Sequence, residues 1–143
     1  MDNLEKASVN AGIIGAIIMC LGVAVLAYGW LAQREQFTWF YYLYLAINVA
    51  AMVVAGILSG VFSIAHIKRD RDLVMPGFIA GVITEAIPVA VVFIIIALYS
   101  GSETGWVVLA LKMLFLLIVM VAVSALMSAA YVVIRRMWKS PGK

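Results

Sequence analysis

The sequence contains a single cysteine, Cys20, and a single histidine, His66, among its 143 residues. One cysteine excludes an internal disulfide, a CxxC redox pair and a thiolate metal cluster. One histidine excludes bis-histidine haem ligation within one copy. Charged residues are also scarce, at 12%, and no nucleophile–base pair, metal-ligand set or nucleotide-binding motif is visible. The sequence therefore predicts a non-enzymatic protein without a metal or a cofactor.

Hydrophobic residues make up 66% of the chain, which is far above their usual share in soluble domains. A soluble domain of this length could not cover so much apolar surface, whereas a lipid bilayer removes that requirement. The sequence predicts an all-α integral membrane protein, built as one antiparallel four-transmembrane-helix bundle. Its four spans are long enough to cross about 30 Å of hydrocarbon. They are predicted at residues 11–31, 37–67, 73–99 and 106–134.

The positive charges are concentrated in two clusters, at residues 66–71 and 135–143. Basic loops stay on the cytoplasmic side of a membrane, and four crossings place both clusters on the same side. The turn at residues 101–105 carries Glu103 and no positive charge. The pattern predicts a multi-pass protein of the cell membrane with both termini in the cytoplasm. It also indicates contact with anionic lipid head groups rather than with nucleic acid.

Small residues are frequent in the second half of span 2. Gly56 and Gly60 are four residues apart, so they share one helix face and allow another backbone to come close. Ser59 and Ser63 extend this predicted helix-packing face. Span 4 has a comparable face, made of Ser124, Ala125, Ser128 and Ala129. The two faces predict a homo-oligomer or contacts with other membrane subunits.

A shift of 65 residues aligns Gly12 with Gly77 and Ser59 with Ser124. Such an alignment is expected if spans 1–2 and spans 3–4 are two parallel repeats, which are common in membrane proteins. Apolar segments also match each other by chance. Both interpretations stay open at this point.

One acidic residue, Glu85, lies near the middle of span 3. A charge at the centre of a bilayer costs about 2.5–3.5 kcal/mol on insertion scales, so an intramembrane carboxyl is by default a functional-site hypothesis. Pro88 lacks the N–H that would bond the Thr84 carbonyl. Carboxylate, carbonyl and Thr84 hydroxyl oxygens would together suit a proton or Na⁺. The alternative is a protonated Glu85 that serves only as a hydrogen-bonding contact between helices.

Lys112 is the other charged residue inside a predicted span. Its long side chain can extend to the membrane interface, and the alternative is an ion pair with Glu85. Asn48 in span 2 is expected to form an interhelical hydrogen bond rather than to act as a ligand.

Residues 84–100, TEAIPVAVVFIIIALYS, resemble the outer helix of the proteolipid (c or K) subunits of rotary ATPases. That helix carries one ion-binding carboxylate at mid-membrane, so the resemblance implies that Glu85 is an ion carrier. It also implies a cytoplasmic polar loop, here residues 66–72, and a small-residue helix packed beside the carboxylate. The match covers spans 2 and 3. Span 2 lacks the family's dense glycine pattern, the loop lacks its Gln-Pro or Asp-Pro element, and spans 1 and 4 have no counterpart.

Two functions remain for a chain of this kind. The first is an oligomerising or accessory subunit of a membrane complex, whose partners are the lipid bilayer and other membrane subunits. The second is a proteolipid-like subunit, small channel or transporter that moves H⁺ or Na⁺ by means of Glu85.

Overall fold

A computed structural model of the chain describes residues 2–99 and 103–139. This part of the chain forms four α-helices, which confirms the all-helical prediction. They are α1 (Asn3–Ala32), α2 (Phe37–Ser63), α3 (Met75–Tyr99) and α4 (Glu103–Lys139). Short 3₁₀ helices lie between α1 and α2 and between α2 and α3, at Arg34–Gln36 and Asp70–Leu73. Of the predicted polar segments, Gly101, Ser102 and residues 140–143 lie outside the described residues.

Three of the helices are long and apolar enough to cross a membrane. They are Asn3–Ala32, Thr38–Ser63 and Leu111–Lys139, and α3 contributes a shorter apolar stretch at Met75–Val91. Bilayer hydrocarbon is about 30 Å thick and requires about 20 apolar residues in a helix. Length and composition therefore agree with the predicted membrane class.

The helices α2 and α3 form the centre of the bundle. Each of them packs against both α1 and α4, and they also pack against each other. The helices α1 and α4 consequently lie on opposite sides of the α2–α3 pair. A side chain at the α2–α3 interface is therefore enclosed by the outer helices as well.

Glycines in α2 and α3 allow α4 to come unusually close. A Cβ atom added at Gly56 of α2 would lie 2.5 Å from the Ser124 carbonyl oxygen of α4, and one added at Gly77 of α3 would lie 2.5 Å from the same oxygen. Both central helices thus come close to the backbone of α4. The small-residue faces of spans 2 and 4 pack against each other within one copy, so a second copy would need a different surface.

The helix ends differ from the predicted span ends. Helix α1 begins eight residues before its predicted span because Asp2 and Glu5 form a capping box. The Asp2 carboxylate accepts from the Asn3 N–H at 2.7 Å, and the Glu5 carboxylate accepts from the Asp2 N–H at 3.1 Å. These bonds satisfy N–H groups that a helix start leaves without partners. Helix α2 ends at Ser63, four residues before its predicted limit.

Candidate functional site

The structure places Glu85 inside the bundle. It lies ten residues after the start of α3, which is about 15 Å along the helix. Its side chain is only 2% exposed, so it does not face open lipid. The carboxyl atom Oε1 is buried and has no hydrogen-bond partner. A buried acceptor without a donor costs about 1–3 kcal/mol. This cost distinguishes Glu85 from an apolar side chain that only fills space in the interior.

Asn48 of α2 lies beside the Glu85 carboxyl. The Asn48 side chain is fully buried, and its Oδ1 atom also lacks a partner. The α2–α3 interface therefore contains two adjacent polar side chains, each with one unsatisfied acceptor oxygen. A proton on the Glu85 carboxyl would supply a donor at this place, and a bound cation would supply a positive charge.

Tyr44 extends this polar group along α2. Its side chain is 1% exposed, and the Asn48 Nδ2 atom lies 3.5 Å from the Tyr44 hydroxyl. Residues four apart share a helix face, which is how Tyr44 and Asn48 meet. The sequence interpretation treated Tyr44 only as part of an aromatic interface run. The four-residue spacing between Tyr44 and Asn48 was the signal that could have separated it from its neighbours.

Thr84 faces α1. Its hydroxyl donates to the Ala80 carbonyl oxygen at 2.8 Å and lies 3.3 Å from the Gly12 carbonyl oxygen of α1. A Cβ atom at Gly15 would overlap the Thr84 side chain, so the glycine provides the space for this contact. The hydroxyl contacts thus join α1 to α3.

Pro88 lies buried inside α3, one turn after Thr84. Proline has no N–H, so the Thr84 carbonyl loses the donor that an unbroken helix would give it. An additional acceptor therefore lies in the backbone one residue from Glu85. The Thr84 carbonyl is one of the oxygens expected near Glu85, and it lacks its helical donor simply because residue 88 is proline.

The predicted packing residues of α2 lie at the α2–α4 contact. The Ser59 hydroxyl donates to the Gly56 carbonyl oxygen at 2.8 Å, and a Cβ atom at Gly60 would lie 3.0 Å from the Ser128 carbonyl oxygen. Ser63, at the end of α2, is fully buried, and its Oγ atom has no hydrogen-bond partner. Polar atoms are therefore enclosed here as well as beside Glu85.

Lys112 and Glu85 lie in different surroundings. Lys112 is exposed on α4, whereas Glu85 is buried with Oε1 unpartnered. The structure does not bring the two together as the ion pair that was one of the interpretations. Within residues 2–99 and 103–139, no group of three or more His, Cys, Asp or Glu side chains is placed to hold a metal ion.

No protein-family model, curated protein sequence or solved structure matches this chain significantly. The resemblance to rotary-ATPase proteolipids therefore stays a prediction from spans 2 and 3.

Proposed function

We propose that this chain is a small proton-translocating membrane protein in which Glu85 carries the proton. The observation behind the proposal is that two neighbouring buried side chains, Glu85 and Asn48, each have an oxygen without a hydrogen-bond partner. Ionisable residues inside membrane bundles mark ion and proton pathways. The pair sits at the central α2–α3 interface, where a proton bound to the carboxyl is shielded from lipid on every side.

A proton suits this pair better than Na⁺. The described side chains offer two unpartnered oxygens at this place, those of Asn48 and Glu85. The Thr84 carbonyl adds one backbone acceptor, and the Thr84 hydroxyl is engaged with backbone carbonyls. A Na⁺ ion would have to exchange its water ligands for a larger set of protein oxygens. A proton needs one acceptor, neutralises the carboxylate, and turns one unsatisfied acceptor into a donor.

We also propose that the protein spans the cell membrane with both termini in the cytoplasm. The supporting contact is between Arg136 Nη2 of α4 and the Ile67 carbonyl oxygen in the connection after α2, at 3.0 Å. This contact brings the two basic clusters to one end of the bundle. Clustered Lys and Arg residues mark the cytoplasmic side. We call this end, with Lys68, Arg69, Arg135 and Arg136, the basic end.

Proton flux into liposomes tests the function. The purified protein is reconstituted, a potassium diffusion potential is imposed with valinomycin, and internal pH is followed with a fluorescent dye. The wild type should move protons faster than protein-free liposomes. Glu85→Gln keeps size and polarity but removes the proton-binding carboxylate, so its flux should fall to the protein-free level.

Glu35→Gln is the matched control, because it makes the same chemical change at an exposed position between α1 and α2. It should keep wild-type flux. Circular dichroism and size-exclusion chromatography establish that all three proteins are folded. Wild-type flux in folded Glu85→Gln, or no flux in the folded wild type, would overturn the proposal.

The alternative is an accessory subunit in which Glu85 only joins helices. The observation in its favour is that Asn48 links Glu85 to Tyr44 in one buried polar group, as an internal contact would. Labelling with dicyclohexylcarbodiimide, which modifies protonated carboxyls in apolar surroundings, distinguishes the proton-translocating function from the accessory one. Labelling of Glu85 that slows as pH rises supports proton exchange, and an inert Glu85 supports the accessory role.

A further inference from the structure

A cleft opens on the surface of α4 at the basic end of the bundle. Its volume is about 240 Å³, and it is lined by Tyr131, Ile134, Arg135 and Trp138. These residues are spaced three and four apart, so they lie on one face of the helix. Ile134 is 55% exposed and Trp138 is 77% exposed. The cleft therefore opens towards the surroundings of the bundle and combines one cation with aromatic and aliphatic surface.

Tyr131 holds the inner edge of the cleft against α2. A Cβ atom added at Gly60 would lie 3.1 Å from the Cδ1 atom and 3.4 Å from the Cβ atom of Tyr131. Glycine at position 60 thus lets the tyrosine lie close to the backbone of α2, where Tyr131 is half-buried. Because this side chain packs between two helices, the apolar side of the cleft is held in place by the bundle.

Arg135 supplies the positive charge of the cleft. Its neighbour Arg136 is directed elsewhere, since the Arg136 Nη2 atom donates to the Ile67 carbonyl oxygen. Lys139 is exposed one turn after Arg135, on the same helix face. Residues 135–139 contain three basic residues and no acidic one. An anion placed beside Arg135 would therefore have a second cation close to it.

The surroundings of the cleft carry a net positive charge. The connection between α2 and α3, residues 66–72, contains three Lys and Arg residues and two acidic ones, Asp70 and Asp72. Asp2 and Glu5 belong to α1, which lies on the other side of the α2–α3 pair from α4. A second copy of the chain would bring the same positive face to the cleft, so repulsion between like charges disfavours it as the occupant.

The position of the cleft along α4 is that of a membrane interface. The Leu111–Lys139 stretch is long and apolar enough to cross a membrane, and tryptophan near the end of such a helix marks the head-group level. Tyr131 and Trp138 are seven residues apart, which is about 10 Å along the helix. The apolar part of the cleft therefore faces the hydrocarbon, and the long side chain of Arg135 extends towards the head groups.

We propose that this cleft is a binding site for one anionic phospholipid. Arg135 binds the phosphate group, because a guanidinium presents paired N–H donors that match phosphate oxygens, and Lys139 adds a second positive charge. One acyl chain lies along Ile134 and Tyr131. Basic pockets of membrane proteins recognise acidic lipid head groups in this way. The site does not involve Glu85, so it is independent of the proposed proton translocation.

Fluorescence quenching of Trp138 tests the site. Trp30, Trp39 and Trp106 are replaced by phenylalanine, so that Trp138 is the one remaining tryptophan. The protein is reconstituted in phosphatidylcholine vesicles that contain a small fraction of phosphatidylglycerol brominated near the head group. Phosphatidylcholine brominated at the same place is the reference lipid. Bromine quenches a tryptophan that it contacts, so the brominated phosphatidylglycerol should quench Trp138 at a mole fraction about fivefold lower or less.

Arg135→Gln, made in the same background, should lower this preference about fivefold. That factor corresponds to about 1 kcal/mol for one basic residue near an anionic membrane surface. Arg69→Gln is the matched control, because it removes the same charge from an exposed position in the connection after α2 that does not line the cleft. It should keep most of the preference. Circular dichroism and size-exclusion chromatography establish that each variant is folded.

Four results would overturn the site. Equal losses in Arg135→Gln and Arg69→Gln would show a diffuse attraction of lipids to the basic end. Equal quenching by the two brominated lipids would show that the cleft does not select an anionic one. Quenching by neither lipid would show that a second copy covers Trp138. Reversal of the quenching by added inorganic phosphate would show that the cleft binds phosphate alone.

Discussion

The Thr84 hydroxyl of α3 lies 3.3 Å from the Gly12 carbonyl oxygen of α1 while it donates to its own helix at Ala80. One side chain thus joins an outer helix to a central one. The contact depends on Gly15, where a Cβ atom would overlap Thr84. At this point helix α1 meets α3 through close glycine contacts and one hydroxyl.

Thr84→Val should therefore weaken the α1–α3 contact. Valine keeps the shape and loses the hydroxyl, and interhelical hydrogen bonds in membranes contribute about 0.6 kcal/mol on average and up to about 1.7. The free energy of unfolding, measured by titration from mild detergent into SDS, should decrease by an amount within that range. Thr84→Ser is the control that retains the hydroxyl. A larger loss in Thr84→Ser than in Thr84→Val would contradict the assignment.

Asn48 and Glu85 should be energetically coupled. Asn48→Leu leaves the buried carboxyl without its neighbour, and Glu85→Leu does the same to the amide. Each change should lower the free energy of unfolding by about 1–3 kcal/mol, because it leaves a buried polar group unsatisfied. The double variant replaces both partners and should lose less than the sum of the single changes. Losses that add to within about 0.5 kcal/mol would mean the two side chains do not interact.

The helix count and the membrane class follow from the sequence, because both depend on the amount and spacing of apolar residues. The interior position of Glu85 is also expected, since a carboxyl facing lipid is costly. The neighbour of Glu85 could not be predicted in the same way. Asn48 and Glu85 are brought together by the axial register of α2 against α3, which depends on packing across all four helices.

The contact between α1 and α3 was missed, although the sequence carries a signal for it. Gly12 and Gly15 are three residues apart among other small residues, both are buried, and both face α3. The spacing of Gly56 and Gly60 predicts one close helix contact, whereas the bundle has several. The small residues of α4 predict a surface for other copies, but they pack against α2 and α3, because sequence alone cannot distinguish an internal helix partner from an external one.

Gly56→Leu should disrupt the α2–α4 contact within one copy. The Cβ atom alone would lie 2.5 Å from the Ser124 carbonyl oxygen, and backbone cannot move aside as a flexible side chain can. Overpacking of this kind costs about 1–3 kcal/mol and occasionally more. Ala50→Leu is the matched control, since Ala50 is on the exposed side of α2. Thermal unfolding in micelles should show a lower midpoint for Gly56→Leu and little change for Ala50→Leu.

The capping box should control the first turn of α1. Asp2→Ala removes the side chain that accepts from the Asn3 N–H, and loss of such a cap costs about 0.5–2 kcal/mol. Because a helix end opens locally, the loss should appear as faster hydrogen exchange of the first-turn amides, by about tenfold for each 1.4 kcal/mol. Glu5→Ala should act in the same direction, since it removes the reciprocal bond to the Asp2 N–H.

Lys6→Ala is the control for the capping box, because Lys6 is exposed in the same turn and its side chain takes no part in either bond. It should leave the exchange rates of the first-turn amides unchanged. Amides around Gly12 should also keep their protection in all three variants, because packing against Ala80 and Ile83 of α3 holds that part of α1. Equal acceleration along the whole helix would show that the cap supports α1 globally and that the packing contacts are weaker than their geometry indicates.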